Sequence, residues 1–390
     1  MLKDRKVCCL NNISRVGTDC FREGYTLTDQ MEHAQGVLVR SADMLNMEFP
    51  AELRAIARAG AGVNNIPLDR CAEAGIVVFN TPGANANAVK ELTIAGLMLA
   101  SRGIVDGADW VRENADAEDL KKKAEKAKKA FAGIEIAGKT LGVIGLGAIG
   151  VMVANAAVEL GMKVCGYDPY VSVDSAWNLN RQVIYVQQLE ELCANADYIT
   201  IHVPFMKSTR HMVDRDAIAR MKDGVRFLNF ARDELVDEEA MAEALESGHV
   251  KTYVSDFPNP VSAKMKNAVI LPHLGASTEE AEDNCAVMAV REVRDYLENG
   301  NIKNSVNYPA CDMGVCTTAG RVAINHRNEP NLLAQLTGVL GEAGINVANV
   351  FNKSRGAYAY TLIDTDTELT DEIAAKLSAI NDVLKVRIVK

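Results

Sequence analysis

Residues 140–150 read Thr-Leu-Gly-Val-Ile-Gly-Leu-Gly-Ala-Ile-Gly. The apolar run 141–144 predicts a short buried strand entering a turn, and residues 151–160 predict a small-residue helix leaving it. The three glycines meet three different needs. Gly145 allows the tight turn, Gly147 lets backbone approach a pyrophosphate, and Gly150 lets helix pack closely on strand. The helix N-terminus then offers unpaired N–H groups and the positive end of its dipole to phosphates. Residues 162–167 predict the next strand, ending at Asp168, 18 residues beyond Gly150. An acid there accepts hydrogen bonds from adenosine ribose hydroxyls and repels a 2′-phosphate, so the expected cofactor is NAD, not NADP. A whole lobe precedes this nucleotide motif.

Composition bounds the rest. The 390 residues suffice for two or three domains, and 48% hydrophobic with 24% charged residues describes a soluble globular chain. A formal net charge of −10 argues against nucleic-acid or anionic-membrane partners. The N-terminal stretch Met-Leu-Lys-Asp-Arg-Lys-Val-Cys-Cys-Leu lacks the apolar core of a secretory signal, and no apolar run reaches membrane-span length. Nine scattered cysteines, without a C-x-x-C pair, read as reduced cytoplasmic thiols, with neither a disulfide framework nor a metal site.

Strand and helix patterns alternate on both sides of the motif, which predicts α/β architecture with doubly wound parallel sheets. Residues 36–40 and 76–79 read as strands in the first lobe, and 53–59 leads into the glycine turn at Gly60 to Gly62. Residues 198–203, 225–230 and 252–255 read as strands in the second, followed by a long helix over 281–298 capped at Asn299-Gly300. The Lys-rich stretch 118–130 reads either as a solvated helix or as one whose Lys128 or Lys129 reaches a substrate phosphate. Residues 303–319 show no period and read as a linker. Residues 320–390 then predict strand, helix, strand, strand, helix, strand, the βαββαβ order of a ferredoxin-like unit.

Three positions downstream of the motif carry chemistry. Arg232 follows a predicted strand end, where open α/β sheets place ligands, and an arginine can grip a carboxylate with two parallel hydrogen bonds. Asp256 closes a later strand. His273, in Leu-Pro-His-Leu-Gly-Ala-Ser, has the side chain whose pKa best suits proton transfer near neutrality.

Together these segments resemble the D-2-hydroxyacid dehydrogenase family, and within it the phosphoglycerate dehydrogenases that carry a C-terminal ACT domain. Val39-Arg40-Ser41, Arg58 to Ile66, Asn80 to Asn85, Gly138-Lys139-Thr140 with the glycine loop, Arg232, Pro272 to Thr278, Gly300 to Ile302 and Ser305 to Asn307 carry the resemblance across nearly the whole chain. It implies a substrate-binding domain over 1–95 and 277–308, a Rossmann domain over 96–276, a linker over 309–319 and an ACT domain over 320–390. It implies NAD-dependent oxidation of a small phosphorylated 2-hydroxy acid, 3-phospho-D-glycerate, to 3-phosphohydroxypyruvate at the entry to L-serine synthesis. His273 would be the base, and Arg232 would bind the carboxylate. Arg40, Ser41 and the backbone of Gly60, Ala61, Gly62 and Val63 would bind the substrate's anionic groups. Cofactor contacts would fall on Gly145, Leu146, Gly147, Ala148, Ile149, Gly150, Asp168, His202, Val203, Pro204, Thr209, Ala231, Arg232, Asp256, His273 and Gly275. L-serine, as feedback effector, would be held by His326, Asn328 and Asn346, in a homodimer or homotetramer.

Three positions depart from that pattern. Asn259 stands before Pro260 where the family has the glutamate that pairs with the histidine, which leaves Asp256 as the expected acid partner. Asp233 follows Arg232 where relatives have glycine. Ala148 replaces an arginine in the glycine loop, which removes one pyrophosphate contact. Two rival readings stand beside the first: a reductase of another 2-oxo acid (hydroxypyruvate, glyoxylate or 2-oxoglutarate), and a non-catalytic sensor of NAD and amino acids.

Overall fold

A computed structural model of the chain describes residues 5–390. Residues 1–4, part of the N-terminal stretch read above, lie outside the described residues. The chain forms two compact units: one runs to Asn85 and resumes at Glu282, the other spans Ala86–Ala281.

The first unit opens with β1 (Arg5–Cys9), β2 (Tyr25–Thr28), β3 (Gly36–Val39), β4 (Ala55–Arg58) and β5 (Val77–Phe79). They form a parallel sheet in the order β2-β1-β3-β4-β5. Strands β3, β4 and β5 are buried almost throughout because helices and loops cover both faces, so their sequences are continuous apolar runs. Ala286, Ala289, Val290 and Val293, spaced along one face of the helix Glu279–Asn299, pack into the same core as Val7, Leu38 and Val77.

The second unit holds β6 (Thr140–Ile144), β7 (Lys163–Tyr167), β8 (Ile184–Tyr185), β9 (Tyr198–Ile201), β10 (Val225–Asn229), β11 (Val250–Ser255) and β12 (Ala268–Ile270). The order is β12-β11-β10-β9-β6-β7-β8, all parallel. Strand order reverses between β6 and β9, the place where open α/β sheets leave a crevice at their carboxyl ends. The helix after the glycine motif runs Ala148–Glu159, three residues earlier than its pattern predicts, because Gly147 already serves as N-cap. The Lys-rich stretch is an exposed helix, Leu120–Ala127, continued by a 3-10 turn. Its charges pair locally, Lys123 with Asp119 and Lys128 with Glu125.

The chain returns to the first unit and ends in β13 (Gly320–Arg327), β14 (Val347–Arg355), β15 (Tyr358–Thr365) and β16 (Val383–Ile388). These form an antiparallel sheet in the order β14-β15-β13-β16. Alternation separates its two faces. Val322, Ile324, Ile363 and Val386 face the helices Leu332–Glu342 and Asp371–Ser378, with Leu336, Leu340 and Leu377 between. Ala323, Tyr360 and Leu362 join the first unit's main core on the other face. A buried Arg321–Asp364 pair, bidentate at 2.6 and 2.9 Å, anchors this sheet, and Arg321 also donates to the carbonyls of Asn299 and Gly314. Among the described residues, no helix is long and apolar enough to cross a membrane.

Candidate active site

In the second unit the predicted cofactor residues gather at one edge of the sheet, because parallel strands all end on the same side. Gly145 leaves β6 at φ 90°, and a Cβ there would come within 2.8 Å of the His202 carbonyl oxygen. A Cβ on Gly150 would lie 1.9 Å from the Gly145 carbonyl oxygen, so this helix touches the loop as only glycine permits. Gly147 differs: a Cβ there would meet nothing within 4 Å. Its backbone therefore borders open space at a helix N-terminus, the space a pyrophosphate needs. Asp168, directly after β7, accepts the N–H of Leu146 at 2.9 Å and that of Tyr170 at 2.8 Å. It thereby holds the glycine loop, and its remaining lone pairs suit ribose hydroxyls. These residues fit NAD, and the Asp168 carboxylate would repel a 2′-phosphate.

His202, Val203 and Pro204 follow β9. His202 bonds Thr200 at 3.0 Å, its Nδ1 is buried without a partner, and burial holds its pKa down at about 3, so the ring stays neutral. Thr209 closes the next turn, donating to the Pro204 carbonyl at 2.9 Å and accepting the Met206 N–H at 2.8 Å.

Arg232 sits three residues beyond β10. Buried Asn229 shapes that turn: its Nδ2 donates to the Arg232 carbonyl at 2.8 Å and its Oδ1 accepts the Ala231 N–H at 3.1 Å. Arg232 makes no ion pair among the described residues, and its guanidinium lies 5.6 Å from the Phe257 ring centroid. The other side of that story is His273, whose ring centroid is 4.7 Å from the same Phe257 ring. Phe257 is thus an apolar contact shared by Arg232 and His273, a role that an aromatic in a loop string does not announce.

Asp256, 1% exposed, follows β11. Its backbone carbonyl accepts the His273 N–H at 2.8 Å, and its Oδ2 accepts the Gly275 N–H at 2.7 Å. Burial raises its pKa, opposed by the Gly275 bond and by the charges of His273 and Arg232. No hydrogen bond joins Asp256 to the His273 ring among the described residues. What Asp256 grips is the turn that carries His273 at φ 45°.

In the first unit, Asn11 Oδ1 accepts three successive N–H groups, of Arg40 at 2.8 Å, Ser41 at 3.0 Å and Ala42 at 3.1 Å. This fixes the loop after β3, from which Arg40 pairs with Glu282 at 2.7 Å. The loop after β4 is tied by Asn80 Nδ2 to the Ala61 carbonyl at 2.6 Å and by the Thr81 N–H to the Gly60 carbonyl at 3.1 Å. The N–H groups of Ala61, Gly62 and Val63 have no partner among the described residues. Consecutive free amides of this kind suit an anion.

Residues 94–275 match the profile of the D-isomer specific 2-hydroxyacid dehydrogenase, NAD binding domain. This segment is similar to the NAD-binding domain of that family. The chain is also 38% identical over 293 residues to D-3-phosphoglycerate dehydrogenase of Methanocaldococcus jannaschii (73% of this chain, 53% of that protein) and 34% identical over 291 residues to the protein of that name from Bacillus subtilis (72% and 53%). It spans about half the length of these curated relatives. Among solved structures, D-mandelate dehydrogenase of Rhodotorula graminis in an apo form (TM-score 0.64, 23% identity, 78% of this chain, 97% of that one) and a D-2-hydroxyisocaproate dehydrogenase (0.62, 22%, 78%, 99%) share the fold.

Within this segment two of the three sequence departures, Asn259 and Asp233, meet. Asn259 Nδ2 donates to Glu238 Oε2 at 2.5 Å and lies 3.5 Å from Asp233 Oδ2, while its Oδ1 accepts the N–H groups of Val261 and Ser262 at 2.9 Å. Burial raises the Glu238 pKa and neighbouring Asp233 raises it further, against the bond from Asn259. The amide at position 259 is thus flanked by two acids.

The three predicted effector residues lie in the C-terminal part of the first unit. His326 is buried in β13, with Nδ1 at 2.7 Å from the Arg327 carbonyl and Nε2 at 2.8 Å from Thr361 Oγ1. Exposed Asn328 donates to the Gly356 carbonyl at 3.2 Å, and exposed Asn346 to Asp366.

Proposed function

We propose that the chain is an NAD-dependent D-2-hydroxyacid dehydrogenase that oxidises 3-phospho-D-glycerate to 3-phosphohydroxypyruvate, the first step of L-serine biosynthesis. The observation that carries this reading is the convergence of Arg232 and His273 on Phe257, beside a glycine loop and acid suited to NAD. The curated relatives named above supply the choice of substrate. NAD, held by the loop Gly145–Gly150 and Asp168, supplies the hydride acceptor.

Arg232, free of any carboxylate partner among the described residues, binds the substrate carboxylate and polarises the C2 oxygen. His273, exposed and unbonded at its ring among the described residues, takes the hydroxyl proton and returns it in the reverse direction. Asp256 acts as a positioning residue that fixes the His273 turn. In the first unit, Arg40, Ser41 and the amides of Ala61, Gly62 and Val63 hold anionic ends of the substrate. The βαββαβ order of residues 320–390 supports a ferredoxin-like ACT domain after a linker over 309–319, with L-serine as effector through His326, Asn328 and Asn346. The chain would work as a cytoplasmic homo-oligomer.

Initial rates of NADH oxidation with 3-phosphohydroxypyruvate, hydroxypyruvate and 2-oxoglutarate at equal concentration test the assignment. Preference for the phosphorylated acid supports it. Turnover of another oxo acid alone would keep the chemistry and change the substrate, and no turnover would favour a non-catalytic sensor.

A further inference from the structure

Strand β16 carries Lys385 and Arg387 two residues apart, so both side chains leave the same face of the C-terminal sheet. That face is the one covered by the first parallel-sheet lobe. There the two cations meet Arg54, which directly precedes β4, around a cavity of about 280 Å³ also lined by Glu52, Tyr296 and Asn325. This is small for an organic ligand site, which typically runs from about 300 to 1,000 Å³.

The cavity wall is built for negative charge. Arg387, 8% exposed, donates to the carbonyls of Leu297 at 2.9 Å and Tyr296 at 2.6 Å and stacks 4.7 Å from the Tyr296 ring centroid. Its Nε is buried and unpartnered, as is Nδ2 of Asn325, a residue 3% exposed. Lys385 donates to the carbonyls of Leu53 at 2.6 Å and Ala51 at 3.2 Å. No carboxylate forms an ion pair with Arg54, Lys385 or Arg387 among the described residues. The acid in the wall, Glu52, bonds exposed His33 and attracts Lys385 without an ion pair. Burial, with the guanidiniums of Arg54 and Arg387, pulls the Lys385 ammonium down to about 8, and burial, with Arg387, lowers Arg54 as well. Buried charges are ordinarily paired, and three like charges around one cavity with two idle donors lack the partner that would offset their desolvation.

We propose that this cavity binds a phosphate group, as free phosphate or a small phosphomonoester, which bridges β16 of the C-terminal sheet to Arg54 of the first lobe. The site is separate from the loops assigned to substrate, and the proposal does not depend on the reaction catalysed. Bound there, the anion would satisfy Arg387 and Asn325 and tie the C-terminal sheet to the sheet beneath it.

Calorimetric titration of the full chain with inorganic phosphate, and separately with glycerol 3-phosphate, in chloride buffer tests this. Arg54→Gln should weaken binding at one site by about tenfold or more, the worth of a charge-assisted hydrogen bond. Its melting temperature in phosphate-free buffer should equal or exceed that of the parent chain, because a repelling charge has gone. Tighter binding of one titrant identifies the source of the phosphate. Binding that survives Arg54→Gln and Arg387→Met unchanged but disappears in Arg40→Gln would assign the anion to the substrate loop and overturn the proposal. Absence of binding by either titrant would overturn it too.

Discussion

Asp256 accepts the backbone N–H of Gly275 through Oδ2 at 2.7 Å, across the turn whose central residue is His273. A carboxylate placed to hold a loop differs from one placed to charge a histidine, and substitution separates the two. Asp256→Asn keeps an acceptor for Gly275 and should retain most activity, with little change in the pH profile of kcat. Asp256→Ala leaves that N–H unpaired and should lower both kcat and stability, the latter by about 1–3 kcal/mol. The Asp256 pKa is raised in the folded state, so its ionisation costs stability as pH rises through the carboxylate range. Asp256→Asn should therefore be at least as stable as the parent at neutral pH. A shifted basic limb in Asp256→Asn would instead make this residue the acid partner of His273.

Gly147 and Gly150 should respond oppositely to alanine. Gly147→Ala places a Cβ in open space at an ordinary φ of −77°, so the fold should persist while NADH affinity falls. Gly150→Ala drives a Cβ into the Gly145 carbonyl and should cost ~1–3 kcal/mol or more. Thermal melts and NADH fluorescence titrations read both. Equal affinity of Gly147→Ala and the parent would remove the loop from cofactor binding.

Asn259→Glu, which restores the relatives' acid, should destabilise this chain by about 1–3 kcal/mol, because the new carboxylate meets Glu238 and Asp233. Adding Glu238→Gln should recover most of the loss in urea denaturation. Independent, additive effects would show that the three side chains do not act together.

Glu292 gives a stability signature at higher pH. It is 7% exposed, accepts from Asn304 at 2.6 Å through one oxygen and has no partner on the other. Burial raises its pKa to about 8, against the bond from Asn304. The folded state therefore holds this proton more tightly than the unfolded chain, and stability declines as pH climbs from about 4.3, the unfolded value, to about 8. Glu292→Gln should match the parent near pH 4 and exceed it by ~1–3 kcal/mol at pH 9. A constant difference across that range would contradict the assignment.

The features legible from sequence were those set by local periodicity and spacing. The strand, glycine loop, helix and acid from Thr140 to Asp168 follow from neighbours in the chain, as do the six elements after Gly320 and the placement of Arg232 at a strand end. The features that were not legible join residues far apart. Asn11 holds Arg40, Ser41 and Ala42 across about thirty residues, and no local pattern marks an asparagine for that task. The alternation in β16 announces that Lys385 and Arg387 share a face, but not that Arg54 waits opposite. Asn259 read as a missing charge because its partners, Glu238 and Asp233, come from another loop and helix. Asp256 lies near the His273 segment, but sequence does not tell which atom of that turn it grips.

The most direct test of the account is the turnover of 3-phosphohydroxypyruvate with NADH by His273→Ala beside the parent chain. Loss of a general acid–base should lower kcat by ~10²–10⁴-fold while NADH binding and melting temperature stay close to the parent's. An unchanged kcat would remove His273 from the chemistry and, with it, the proposed mechanism.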